Sequence, residues 1–303
     1  MEAHRRPLDR DPPLIPLLAV AERLPPVLRL HAGDPAWLAF LREFVAFGWK
    51  HALACVFPVF IFAMLGASQV IHIPGLYRYD VILLGCLALQ AAMWWSRLET
   101  TDEVKVIAVF HLLGLAMELH KVRVGSWSYP EPAWSKVGGV PLYSGFMYAS
   151  VASFMCQAWR RFDLQMVRWP PAWAAGAIGV GIYCNFFTNR WLPDVRWWLF
   201  AGMAVVFWRA HVEFTPNGPR RRMPVIVAFF LIAFFIWLAE NIATFLNAWK
   251  YPHQHLGWAA VKLQKLTSWS LLVIVTMILV AGLKRVKAAR ATGDTSAPRP
   301  IGS

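Results

Sequence analysis

Two glutamates stand where their chemistry would matter. Glu118 precedes Trp127-Ser-Tyr129-Pro130 and Glu240 precedes Trp249-Lys-Tyr251-Pro252, so a carboxylate sits nine residues before a Trp and eleven before a Tyr in two segments 122 residues apart. Both acids lie in or at the edge of long apolar runs, where a charged carboxylate is costly unless it is paired, neutral or facing water. A neutral carboxylic acid in a low-dielectric pocket can donate a proton to a polyene, and Trp or Tyr faces can stabilise the resulting cation. The same acids suit a proton-coupled transporter. Glu118 and Glu240 are therefore the candidate catalytic residues, with Trp127, Tyr129, Trp249 and Tyr251 as substrate-binding aromatics. A helix-bracing role competes, in which Glu118 bonds Lys121 or His120 and Glu240 caps a neighbouring helix.

Helical spacing widens the site. Trp237, Glu240, Thr244 and Asn247 follow at i, i+3, i+7 and i+10 and share a face; His111, Gly114, Glu118 and Lys121 repeat that spacing, and Asn185 and Asn189 form an i, i+4 pair. Three apolar segments thus aim polar groups at one depth, and an outward-opening polar cavity would hydrate or pair them all. Asn185, Asn189, Trp237, Thr244 and Asn247 join the substrate-binding set on this reading. No metal site is expected, because His253-Gln-His255 follows a Pro in a loop and lacks the His-x-x-x-His or Glu-x-x-His helical spacing. The sequence identifies no cofactor. Cys55, Cys86, Cys156 and Cys184 lie in separate apolar runs and read as buried apolar residues.

These residues need a scaffold, and composition says which kind. With 58% hydrophobic and 16% charged residues, the chain is too apolar for an ordinary soluble domain. Crossing a bilayer takes about 20 apolar residues per helix, and eight runs qualify as candidates: 46–67, 80–96, 104–124, 142–160, 171–189, 195–212, 224–248 and 267–284. The expected fold is all-α, a polytopic transmembrane helical bundle whose partner is the lipid bilayer. The net charge of +13 marks topology. Arg5, Arg6, Arg10, Arg23, Arg29 and Arg42, then Arg160, Arg161 and Arg168, then Arg220 to Arg222, then Lys284, Arg285, Lys287 and Arg290 all fall on one side of an eight-span arrangement. The positive-inside rule puts that side, and both termini, in the cytoplasm of a cell-membrane protein. The same residues punctuate apolar spans and form no soluble basic face, which argues against nucleic acid as a partner.

Residues 1–33 read as a flexible cytoplasmic arm, 34–288 as the transmembrane domain and 289–303 as a disordered tail. Asp34 and Pro35 read as a helix start, with Trp37, Phe40, Leu41 and Phe44 forming the apolar stripe of an interfacial helix. Four spans separate the two glutamates, which implies a 4+4 parallel repeat with halves at about 45–165 and 166–288.

Several of these segments together resemble a known family. Glu118, Gly125-Ser-Trp-Ser-Tyr-Pro-Glu-Pro132, Pro141-Leu-Tyr-Ser-Gly-Phe-Met-Tyr148, Asn185-Phe-Phe-Thr188, Phe234-Phe-Ile-Trp-Leu-Ala-Glu-Asn241 and Ala248-Trp-Lys-Tyr-Pro252 are similar to the bacterial membrane proteins of domain of unknown function 817, over roughly residues 40–285. That resemblance carries no established reaction. A more distant similarity links Gly125-Ser-Trp127-Ser-Tyr129 and Pro141 to membrane-embedded lycopene cyclases, which implies acid chemistry on an isoprenoid or other lipid. The paired acids that cyclases carry after that Pro are replaced by Leu-Tyr-Ser here. Enzyme and transporter are the two functional expectations, and they differ in outcome: an enzyme changes the chemical inventory of the membrane, a transporter only the location of solutes.

Overall fold

Pro58 sets the geometry of the first apolar run. It has no N–H to donate to the carbonyl of Ala54, so the helix breaks: α1 (Ala36–Ala54) and α2 (Val56–Ala67) meet at Cys55 with a bend of 64°. The structure, a computed structural model, describes residues 24–189 and 191–292. The first part of the expected arm, with Arg5, Arg6, Arg10 and Arg23, and the tail from residue 293 lie outside them. The described end of the arm is tied down. Pro26–Leu28 form a 3-10 turn whose Leu28 carbonyl accepts from Asn217 Nδ2 at 2.5 Å. Asp34 does not cap α1; its carboxylate accepts from Arg42 Nη1 at 2.7 Å and from the His31 backbone at 2.9 Å.

α3 (Arg78–Trp95) leads to α4 (Thr101–Arg123), which starts in a capping box: Thr100 N donates to Glu103 Oε2 at 2.9 Å and Glu103 N to Thr100 Oγ1 at 3.4 Å. α4 packs most closely on α5 (Ser144–Arg161), and two glycines allow the approach. A Cβ on Gly114 would lie 2.5 Å from the Tyr148 ring, and one on Gly145 would lie 2.7 Å from the His111 carbonyl. Between these helices β1 (Lys136–Val137) and β2 (Val140–Pro141) form a hairpin. Its two turn residues, Gly138 and Gly139, both have positive φ, as a twist-matched two-residue turn demands.

The second part runs through β3 (Gln165–Val167), α6 (Ala172–Thr188), α7 (Arg196–Phe207), β4 (His211–Phe214), β5 (Arg221–Pro224), α8 (Val225–Phe245) and α9 (Lys265–Thr292). The strands form an antiparallel β3-β4-β5 sheet in which Met166 pairs with Val212 and Val212 with Met223. Arg221 fastens the sheet to α1 through two 2.5 Å bonds to the Glu43 carboxylate, and Lys50 Nζ donates to Thr215 O at 2.7 Å. α9 is the central post, in contact with α4, α5, α6, α7 and α8.

Several expectations need correction. The fold is mostly helical rather than all-α, since the described residues include five strands of two to four residues; strands that short and charged show no readable alternation. A helix forms in each of the eight expected runs. Among the described residues, only α8 and the Lys265–Lys284 part of α9 are long and apolar enough to cross a membrane, or three spans if the bent α1–α2 pair counts as one. α4 is too charged, with Asp102, Glu103, Lys105, Glu118, Lys121 and Arg123, and α6 and α7 have 17 and 12 residues. The 4+4 division is not supported either, because α9 packs into both proposed halves. Residues 289–292 continue α9 instead of starting a disordered tail. Of the cysteines, Cys86 and Cys156 are buried, whereas Cys55 is half-buried and Cys184 exposed.

The α4–α5 contact yields a first prediction. Gly114→Ala forces the Tyr148 ring aside and destabilises the protein by about 1–3 kcal/mol, read as a lower unfolding midpoint in detergent. Gly66→Ala, on α2 where nothing lies within 4 Å of the new methyl, leaves the midpoint unchanged or raises it.

Candidate functional site

The recurrent spacing of nine and eleven residues has a structural cause. α4 and α8 end in the same closing turn. Ser126 N bonds Lys121 O at 2.9 Å after α4, and Ala248 N bonds Ala243 O at 2.9 Å after α8, with Gly125 and Asn247 in the left-handed region at φ +71° and +55°. Each turn sends the chain back along its own helix, which brings Trp127 and Tyr129 onto Glu118 and Tyr251 onto Glu240. Trp127 Nε1 donates to Glu118 Oε2 at 2.6 Å and Tyr129 OH to the same oxygen at 2.8 Å. Tyr251 OH likewise donates to Glu240 Oε1. Burial, and then the neighbouring carboxylates, hold the Tyr129 and Tyr251 phenols well above the ordinary tyrosine range, so both remain donors.

The two loops also pair with each other. Ser128 and Lys250, 122 residues apart like the glutamates themselves, form an antiparallel bridge with both N–H···O bonds at 2.9 Å. Two further helices complete the carboxylate shells. Tyr148 on α5 donates to Glu118 Oε1 at 2.8 Å, and Trp269 on α9 donates through Nε1 to Glu240 Oε2 at 2.7 Å. The shells interlock, because Trp127 meets Tyr251 edge-on at 5.9 Å and Tyr148 meets Trp269 at 6.1 Å. Both glutamates are 3% exposed. At their junction stands Lys265, the first residue of α9, with Nζ 4.8 Å from the Trp127 centroid and 4.7 Å from that of Tyr251. Among the described residues its ammonium forms no hydrogen bond or ion pair, although it feels the charges of both acids.

Trp127, Tyr129 and Tyr251 are thus gathered on the acids as the sequence implies, and Trp249 is buried in the same core. The other expected residues do different work. Asn185 braces the α6–α7 turn, accepting from Val195 N at 2.9 Å and donating to Asp194 at 3.1 Å. Asn189 accepts from Lys121 Nζ at 3.3 Å, and Lys121 also bonds Phe186 O at 2.9 Å, so Lys121 is not the partner of Glu118. His120 packs edge-on against Phe187 and Trp191. Trp237 donates to Val261 O and Thr244 accepts from Trp258, each at 3.2 Å, which anchors the loop before α9. Asn247 lies beyond the end of α8, where its positive φ is its contribution.

Sequence reasoning missed Tyr148, Trp269 and Lys265. Lys265 and Trp269 stand at i, i+4 on the last apolar run, a signal as good as the one that marked Glu240. It also missed a second buried acid cluster at the far end of α4, announced by the Thr100-x-x-Glu103 pattern. There Glu103 bonds Lys284 Nζ at 3.0 Å, and Glu99 accepts from Gln90 at 2.5 Å and from Ser153. Burial pushes the Glu99 carboxyl above the usual range against the pull of those donors. Tyr148 and Trp269 also line a cavity of about 30 Å³, otherwise lined chiefly by apolar residues such as Phe110, Met117 and Leu272. It has room for about one water.

Residues 43–277 match the family described as protein of unknown function, DUF817. The chain belongs to this family. It is 55% identical over 247 residues to the uncharacterized protein YoaT of Bacillus subtilis (strain 168), an alignment covering 82% of this chain and 94% of that protein. No solved structure matches, and a relationship to lycopene cyclases is not shown by these similarities.

The carboxylate shells predict an asymmetry between substitutions of Glu118. Glu118→Leu leaves three buried donors, those of Trp127, Tyr129 and Tyr148, without an acceptor, and costs about 3–5 kcal/mol. Glu118→Gln keeps an amide oxygen for Trp127 and Tyr129 and presents its NH₂ to Tyr148, whose oxygen can accept, so it costs about 1 kcal/mol. Chemical denaturation of the two variants in one detergent checks the difference.

Proposed function

We propose that this DUF817 protein is a multi-pass cell-membrane protein that binds a small molecule and couples its passage to protonation of Glu118 and Glu240. The observation that carries the reading is Lys265, one ammonium set against the donors of two buried carboxylates. In a medium of low polarity, adding a proton to one acid changes the field at Lys265 and through it at the other acid, by more than the same change would achieve in water. The proton has a defined place to go. Tyr148 and Tyr251 can rotate their hydroxyls and accept from a protonated Oε1, whereas Trp127 and Trp269 can only donate and so hold Oε2 as an acceptor.

The membrane part of the reading is supported by α8 and α9 and by the large apolar side chains exposed on other helices, among them Leu84, Leu112, Val180 and Val205. Arg160, Arg220, Arg221 and Arg222 lie at the sheet end, and the glutamate pair lies at the opposite end of α4 and α8. With the basic end in the cytoplasm, the acids face outward. Acid catalysis on an isoprenoid fits less well, because each carboxylate oxygen is already engaged and the neighbouring cavity of about 30 Å³ is far too small for a polyene.

Metabolite profiles of cells and medium test the proposal in a strain lacking the gene, complemented with wild type, Glu118→Gln or Glu240→Gln at equal expression. The expected result is a solute redistributed between cell and medium by wild type only, with no new chemical species. A new lipid or pigment species that depends on the glutamates would replace transport with catalysis.

A further inference from the structure

We propose that the Trp127–Tyr251 pair is a binding site for a small primary ammonium cation, and that Lys265 is its tethered occupant. This deepens the reading above by naming the class of ligand. The first support is geometric. Two aromatic faces from separate loops hold one ammonium, at 4.8 and 4.7 Å from their centroids, an arrangement that aromatic cation sites share. The second is electronic. The same rings donate their N–H and O–H to Glu118 and Glu240, which pushes electron density into the faces that the cation meets. With both acids ionised, two negative charges stand behind the rings and only one cation stands in front of them.

The third support is the way Lys265 is held. Its three N–H groups form no hydrogen bond among the described residues, so rings and field alone keep it in place. Other cations nearby are committed elsewhere: Lys121 bonds Phe186 O and Asn189, and Arg196 pairs with Asp194 at 2.6 Å. Lys265 is also the first residue of α9, after a loop whose Leu256, Trp258 and Leu263 are exposed. Withdrawing it unwinds one helix end and leaves the packed part of α9 in place. The space it vacates is that of an alkylammonium head, which a methylammonium ion matches and a quaternary ammonium exceeds.

Calorimetric titration of the full-length protein in detergent with methylammonium chloride tests this, with sodium chloride as the ionic-strength control. Lys265→Met should bind methylammonium at least about tenfold more tightly than wild type, and Lys265→Met combined with Trp127→Leu should lose that binding. Lys265→Gln, which keeps part of the polar stem without the charge, answers the same question if the Met variant does not fold. A folded Lys265→Met or Lys265→Gln protein that gives no methylammonium heat, or binding that survives Trp127→Leu, overturns the proposal. Solute redistribution without methylammonium binding would remove the ligand class and leave the coupling role; binding without redistribution would do the reverse.

Discussion

Glu118 and Glu240 are buried with no cation at hydrogen-bonding distance among the described residues, and most of the site's architecture answers that constraint. An ionised Glu deprived of water needs donors on both oxygens, or its burial costs several kcal/mol. Here the donors are tyrosine hydroxyls and tryptophan N–H groups, whose apolar bodies suit the same surroundings that exclude water. Their supply explains why the helices end where they do. A closing turn with a left-handed residue lets a helix's own downstream loop return to it, and Gly125 and Asn247 are the residue types that accept that conformation at low cost.

The loops that bring the donors must be fixed in turn, and the outer layer does this. Arg78 bonds Leu246 O at 2.7 Å and Glu131 at 2.6 Å, so one guanidinium closes α8 and holds the first loop. Asp80 accepts from the backbone N–H groups of Trp134 and Ser135, each at 2.9 Å, and Tyr143 donates to Ala248 O at 2.8 Å. Lys136 Nζ reaches Tyr129 O at 2.5 Å. Each glutamate is thus supported by donors on a loop, and each loop by groups on other helices. This second tier fixes where Trp127 and Tyr251 stand, and so where Lys265 can rest.

Much of this was legible in the sequence, and the gaps have physical reasons. The glutamate–tryptophan–tyrosine spacing is a local signal, set within twelve residues, and it marked the acids and three of their donors. Helix positions were legible from apolar runs for the same reason. Tyr148 and Trp269 reach the acids through packing of α5 on α4 and α9 on α8, a tertiary fact with no sequence period. Asn185, Trp237 and Thr244 bond loop residues and Asn189 bonds Lys121 on α4, because a shared helix face fixes direction but not distance. The strands were too short to show a pattern, and the count of eight spans rested on apolar runs that α4 interrupts with charge.

The self-supplied donors also bear on how the chain is made. Glu118 is synthesised well before α9, which brings Trp269 and Lys265. Were all its donors on later helices, its carboxylate would stay without them until those helices were made. Trp127 and Tyr129 follow it within eleven residues, however, so the first glutamate carries its shelter close behind, and the second does the same with Tyr251. The Ser128–Lys250 bridge forms later, since it needs both loops. Order of synthesis, as much as final stability, favours a donor placed in the loop that follows its acceptor.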